Sequence, residues 1–65
     1  MKNRQGRTIF ERLNEDIIHA QNTANAEHKE ILAIKALGAA DMAVEFGMIT
    51  YTEWETFVNR IFELM

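Results

Sequence analysis

The chain contains no proline and only three glycines in 65 residues, and this shortage of helix-breaking residues constrains its fold more than any other feature. The remaining residues are rich in Ala, Glu, Leu, Ile and Met, which favour helix. No run of alternating apolar and polar residues is long enough to predict a strand. The predicted fold class is therefore all-α, and the length allows a single domain, because about 40 residues is already close to the lower limit for an independent core.

The composition argues against several classes of protein. The chain has no cysteine, which rules out disulfides and thiolate-bound metals. Its net charge of −3 is unlike that of a dedicated nucleic-acid binder, which presents a strongly basic face. No apolar run approaches the roughly 20 residues that cross a bilayer, and no apolar signal segment follows the basic opening residues. We therefore expect a cytoplasmic protein with no membrane contact.

The first half of the chain predicts amphipathic helix. Thr8, followed three residues later by Glu11, forms a capping-box pattern that predicts a helix start. Apolar or small residues then recur in steps of three and four. They are Phe10, Leu13, Ile17, Ala20, Ala24, Ile31 and Ile34.

Large apolar residues are missing from this series over residues 21–26, and two structures are compatible with the interruption. One is a long helix over residues 9–37, and the other is two helices separated near Asn22–Asn25. The single helix is preferred, because neither glycine nor proline enforces a turn there. Such a helix would be about 43 Å long, too long for the remaining chain to cover.

In the second half of the chain, the glycines predict where helices end. Gly38 predicts a bend or stop, after which a short helix covers residues 39–46. Gly47 is placed as a left-handed residue that ends this helix, and Met48 and Ile49 are expected to fold back on the preceding turn.

The last helix has the clearest local signal in the chain. Thr50 and Glu53 form a capping box, and Ile49 and Trp54 form the matching hydrophobic staple. A register shifted to Thr52 and Glu55 remains open. Both registers predict an amphipathic helix from about residue 51 to the end. Its broad apolar face comprises Trp54, Phe57, Val58, Ile61, Phe62 and Met65.

These faces predict self-association. A chain of this length buries only about 60% of its unfolded surface, so it cannot hide the stripe of the first helix and the face of the last helix together. Oligomerisation is the usual solution where disulfides and metals are absent. The predicted architecture is a homodimeric helical bundle, with the last helix and part of the long first helix in the interface. A flexible basic arm (residues 1–7) precedes one helical domain (residues 8–65).

The residues needed for catalysis or for a cofactor are missing. The chain has neither cysteine nor serine, and its three glycines are scattered rather than gathered in a phosphate-binding loop. His19 and His28 are nine residues apart, so on one continuous helix they face opposite sides and cannot share a metal ion. Glu15 and His19 have the spacing of an ordinary surface pair. We therefore expect no enzymatic activity, no cofactor and no metal.

Two sets of residues are candidates for binding. Arg4, Arg7 and Arg12 belong to a basic N-terminal segment that either contacts a nucleic-acid backbone or an acidic partner, or is simply solvated. Residues 39–62 also have the order helix, turn, helix, but two glutamates near the start of the last helix would repel phosphate. The candidates for protein binding, all on the last helix, are Tyr51, Trp54, Glu55 and Phe62.

The segment Ala39–Trp54, AADMAVEFGMITYTEW, resembles a pattern in very small accessory proteins of lambda-like temperate phages and of prophages of enteric bacteria. In these proteins an Ala-rich helix ends in Phe-Gly-hydrophobic-Ile-Thr and precedes an acidic, aromatic helix. The resemblance covers structural positions and carries over no catalytic residue. It implies an early, nonessential protein that binds a host or phage protein and shifts the lysis–lysogeny or host-takeover programme.

The predicted function is that of a non-enzymatic, phage-type accessory protein that acts as a homodimer and modulates a host or phage protein by binding it. The alternative is a dimeric DNA-binding transcriptional regulator that uses the basic arm. A third hypothesis is a subunit, or an antitoxin-like half, of a hetero-complex, which predicts poor folding of the isolated chain.

Overall fold

A computed structural model describes residues 8–65, which form three α-helices and no strand. The helices are α1 (Ile9–Gln21), α2 (Ala26–Glu45) and α3 (Tyr51–Phe62). The all-α prediction is confirmed. The predicted basic arm, with Arg4 and Arg7, lies outside the described residues.

The preferred single helix over residues 9–37 is wrong, because the chain breaks between α1 and α2. Polar side chains make this break without glycine or proline. The Oγ1 of Thr23 donates to the carbonyl of His19 at 2.9 Å, next to the end of α1. The side chain of Asn25 accepts from the backbone N–H of His28 at 2.9 Å and caps the start of α2. Asn25 thus satisfies a backbone N–H that a helix start leaves unpaired. The Thr23 hydroxyl gives the His19 carbonyl a second donor, beside the backbone N–H of Asn22.

The predicted stop at Gly38, with a separate short helix after it, is also wrong. α2 continues through this glycine to Glu45. A glycine within a helix costs about 0.5–1 kcal/mol relative to alanine, which the good helix formers around it tolerate. Gly38 is exposed, and no atom lies within 4 Å of the place where a Cβ would stand. Packing within the chain therefore does not require a glycine at this position.

The connection between α2 and α3 follows the prediction closely. Gly47 adopts a φ of 73°, the left-handed conformation that favours glycine. The backbone N–H of Met48 donates to the carbonyl of Ala43 at 2.8 Å, and that of Gly47 donates to the carbonyl of Val44 at 3.1 Å. This pair of bonds is a Schellman motif. Ile49 is buried as expected, whereas Met48 points outward and is 60% exposed.

Both predicted capping boxes are present. Thr8 with Glu11 starts α1, and Thr50 with Glu53 starts α3. In each box the threonine hydroxyl accepts from the backbone N–H of the glutamate, and the glutamate Oε1 accepts from the N–H of the threonine. α3 therefore uses the Thr50 register and not the one shifted to Thr52.

The core combines large residues of α1 and α3 with small residues of α2. α1 contributes Leu13 and Ile17, and α3 contributes Phe57 and Ile61. The part of α2 that meets them is formed by alanines: Ala33, Ala36, Ala40 and Ala43. Ile49, before α3, completes the buried cluster, and Trp54 packs against it. Because alanine projects only a methyl group, both neighbouring helices can approach α2 closely.

Several large residues of the predicted apolar faces are exposed in the single chain. Ile31 and Ile34, which were assigned to the buried stripe, are 52% and 55% exposed, because α2 turns its alanines toward the core. Phe62 and Met65 are each 55% exposed, because α3 ends at Phe62 and lies with Phe57, Val58 and Ile61 inward. Phe10 is only partly covered and rests against the ring of Phe57.

The described part of the molecule is flat. Its extents are 34 × 25 × 14 Å. Packed helices lie about 8–10 Å apart, so the shortest dimension has room for two helix layers and no more. Each helix consequently keeps one side in contact with solvent. No helix in residues 8–65 is long and apolar enough to cross a membrane.

Candidate protein-binding surfaces

Three of the four residues predicted to bind a protein lie on one exposed side of α3. Glu55 follows Tyr51 by four residues and Phe62 follows Glu55 by seven, spacings that place side chains on the same side of a helix. Tyr51 is 69% exposed, Phe62 is 55% exposed, and Glu55 is exposed between them. We call Tyr51, Glu55 and Phe62 the α3 face.

The fourth predicted residue, Trp54, is half-buried and connects α2 to the α3 face through contacts with Asp41 and Tyr51. Its indole Nε1 donates a hydrogen bond of 2.7 Å to the carboxylate of Asp41 on α2. Its ring also lies 5.1 Å from the ring of Tyr51, at an interplanar angle of 37°. The hydrogen bond to Asp41 fixes the orientation of the indole. The oriented indole then limits the positions that the Tyr51 ring can adopt against it.

A tyrosine held in this way suits protein recognition. Tyrosine and tryptophan are enriched among residues that dominate binding energies, because they present large contact areas with few rotatable bonds. A side chain that is already ordered loses less conformational entropy on binding. The carboxylate of Glu55 adds a polar group that a partner has to match with a donor or a cation.

Sequence reasoning missed a second exposed apolar surface, which lies on α2. Ile31, Ile34, Gly38 and Met42, with the C-cap residue Phe46, follow one another in steps of three and four residues, opposite the alanines that face the core. We call these five residues the α2 outer face. Ile31 and Ile34 belonged to the predicted apolar stripe, but Met42 and Phe46 were not joined to them because the helix was expected to stop or bend at Gly38.

Between α1 and α2 lies an open cleft of about 280 Å³, lined by Asp16, His19, Leu32, Lys35 and Ala36. Its charged groups carry both signs, and the cleft lacks the enclosed apolar walls typical of small-molecule sites. Nowhere in residues 8–65 do three or more His, Asp or Glu side chains gather in a way that could hold a metal ion.

Of the candidates for nucleic-acid binding, only Arg12 lies within the described residues, where it is exposed on α1. α2, the turn and α3 do follow one another as helix, turn and helix. The start of α3, however, carries Glu53 and Glu55, and the carboxylate of Glu53 is engaged in the capping box. The structure does not bring Arg12 together with the start of another helix, so DNA binding stays a prediction.

Comparison with known proteins yields no relative for this chain. No family model, no curated protein and no solved structure matches it.

Proposed function

We propose that this protein is a non-enzymatic accessory protein that acts as a homodimer and modulates another protein by binding it through the α3 face. The observation that carries the proposal is the exposure of Tyr51 and Phe62 on one side of α3. The two side chains lie at the two ends of α3, roughly 16 Å apart along the helix, so a partner that lies along this side contacts both.

The composition supports binding as the mode of action. A catalytic site needs a nucleophile or base and an orienting group in a pocket, and the chain has neither serine nor cysteine. A protein with these residues can change the activity of another by covering part of its surface. The resemblance of residues 39–54 to small phage accessory proteins indicates a host or phage protein as the partner.

Affinity capture tests the proposal. The protein, immobilised through its N-terminus, is exposed to an enteric-bacterial lysate beside a double variant, Tyr51→Ser with Phe62→Ser. The matched control is Ile9→Ser with Ile18→Ser, because these isoleucines are exposed on α1, at 38% and 42%. Circular dichroism first establishes that all three proteins are folded.

We expect at least one protein to be retained about tenfold more by the wild type and the control than by the α3-face variant, which corresponds to about 1.4 kcal/mol. Equal retention by all three proteins would contradict the proposal. So would duplex DNA binding that weakens steeply with salt and is lost when Arg4, Arg7 and Arg12 are changed to Gln, because this result belongs to a DNA-binding regulator.

A further inference from the structure

We infer that the α2 outer face is the surface on which two copies of this chain associate, with their α2 helices antiparallel and crossing at Gly38. This inference rests on the proposed function in one respect, the homodimer, and assigns it a surface distinct from the α3 face. It concerns residues that the structure leaves exposed and that the intramolecular core does not use.

The first argument is that α2 is apolar on two opposite sides. One side consists of the core alanines, and the other consists of Ile31, Ile34, Met42 and Phe46. A surface helix is normally apolar on one side and polar on the other, and a helix that is apolar all round is normally buried on all sides. Within residues 8–65, α1 and α3 pack on the alanine side and leave the other side uncovered.

The second argument is the size of this surface. Its four large side chains are 52–66% exposed. At roughly 150 Å² for each side chain, the lower end of the range for aromatic residues, they present on the order of 340 Å² of apolar surface. A standard interface covers about 800 Å² on each partner, and somewhat more than half of that area is apolar. These four side chains therefore supply most of the apolar area that a stable dimer requires.

The third argument is the position of Gly38 in the middle of the stripe. No atom of the same chain lies within 4 Å of the place where a Cβ would stand, so packing within one chain does not require the missing side chain. A second helix can approach closely where a side chain is missing, and the isoleucines and methionine on either side of the gap then contact that helix. The glycine, which is unfavourable for the helix of a monomer, thus fits a contact between two helices.

The charges favour an antiparallel arrangement of two copies. Glu45 is exposed on the same side of α2, seven residues after Gly38. A parallel pairing in register would bring this carboxylate beside its own copy, and like charges placed together weaken an interface. An antiparallel crossing at Gly38 instead places Glu45 opposite Ile31 of the second copy.

Solution mass tests the inference, with Gly38→Gln and Ile34→Gln as the disrupting variants. Ile18→Gln is the matched control, because Ile18 is an exposed isoleucine of α1, away from the stripe. Light scattering after chromatography is followed over a concentration series. We expect a wild-type dimer that Ile18→Gln preserves, and a dissociation constant at least 100-fold higher for the two disrupting variants.

The Gly38 variant also separates folding from association. Glutamine is a better helix former than glycine, and its Cβ meets no atom within one chain. At protein concentrations where the wild type is monomeric, we therefore expect Gly38→Gln to raise Tm by about 3–8 °C, although it abolishes the dimer. Loss of the dimer in this variant then cannot be attributed to unfolding.

Disulfide cross-linking tests whether the two α2 helices cross at Gly38. The chain has no cysteine, so an introduced cysteine is the only thiol. A disulfide forms only when the two Cα atoms lie about 4.4–6.8 Å apart. Under mild oxidation, Gly38→Cys should yield a covalent dimer, whereas Ile18→Cys should form the same non-covalent dimer as the wild type and no disulfide between its two copies.

Three results would overturn the inference: a wild-type monomer throughout the series, a dimer that survives both Gln variants, or the absence of cross-linking by Gly38→Cys. A dimer lost only on changing Tyr51 and Phe62 would assign association to the α3 face instead. Affinity capture and solution mass are independent measurements. A negative result for the α2 dimer therefore does not decide whether the α3 face binds a partner, which the capture experiment tests.

Discussion

At the scale of single residues, two side-chain hydrogen bonds within residues 8–65 join α3 to the other two helices. Trp54 Nε1 donates to Asp41 at 2.7 Å and joins α3 to α2. Arg60 donates to the side-chain oxygen of Asn14 at 2.6 Å and joins α3 to α1. A hydrogen bond adds a directional requirement that apolar contacts lack, so these two pairs help to set the rotation of α3 on its neighbours.

Replacement of the acceptor tests the Trp54–Asp41 bond. We expect Asp41→Ala to lower the free energy of unfolding by about 0.5–1.5 kcal/mol, because the bond is lost at an exposed site where water compensates in part. Asp41→Asn retains an acceptor oxygen and should stay closer to the wild type. Urea unfolding measures the difference, and the fluorescence of Trp54, the sole tryptophan, reports its environment. Equal losses in both variants would show that charge, and not the hydrogen bond, stabilises the pair.

At the scale of elements, each helix begins at a side chain that caps it. Thr8 and Thr50 form complete capping boxes, and Asn25 caps α2. These patterns involve residues three apart, so they form within a segment and depend little on the rest of the fold. For this reason the starts of α1 and α3 were predictable from sequence. The break at residues 22–25 was misjudged because polar side chains, rather than glycine or proline, end one helix and begin the next.

The capping register of α3 provides a test at this scale. We expect Thr50→Ala to cost about 1 kcal/mol of unfolding free energy, since the backbone N–H of Glu53 then loses its acceptor. Thr52→Ala is the control, and it should be neutral or slightly stabilising because alanine favours the helix interior. Urea midpoints measure both effects, and hydrogen exchange at the amide of Glu53 localises the first. A larger loss in Thr52→Ala would support the shifted register instead.

At the scale of the whole molecule, the alanines of α2 determine how closely the three helices pack. α2 lies against both other helices, and its buried positions carry only methyl side chains. Large residues of α1 and α3, such as Leu13 and Phe57, occupy the space that these methyl groups leave. The arrangement leaves the large residues of α2 on the outside, where we propose that a second copy covers them.

Adjacent alanines of α2 test this packing. Ala40 is fully buried and Ala39 is exposed. We expect Ala40→Leu to destabilise the fold by about 1–3 kcal/mol, because the added carbons have no room between the helices, and Ala39→Leu to change stability by less than about 0.5 kcal/mol. Thermal and urea unfolding at low protein concentration measure both. Similar effects at the two positions would contradict the assignment of the alanine side to the core.

The sequence by itself determined the all-α class, the two capping boxes and the left-handed turn at Gly47. Each of these follows from the propensity of single residues or from hydrogen bonds between near neighbours. It also named Tyr51, Glu55 and Phe62 as candidates for protein binding, but it assigned Phe62 to the apolar face and did not place the three residues on one exposed side of α3.

Only the tertiary structure decided which side of each helix faces inward. α2 carries apolar residues on two opposite sides, so hydrophobic periodicity could not choose between its alanines and its isoleucines. The choice depends on the other two helices: Leu13, Ile17, Phe57 and Ile61 already fill the interior, and only the small alanines leave α2 close enough to cover them.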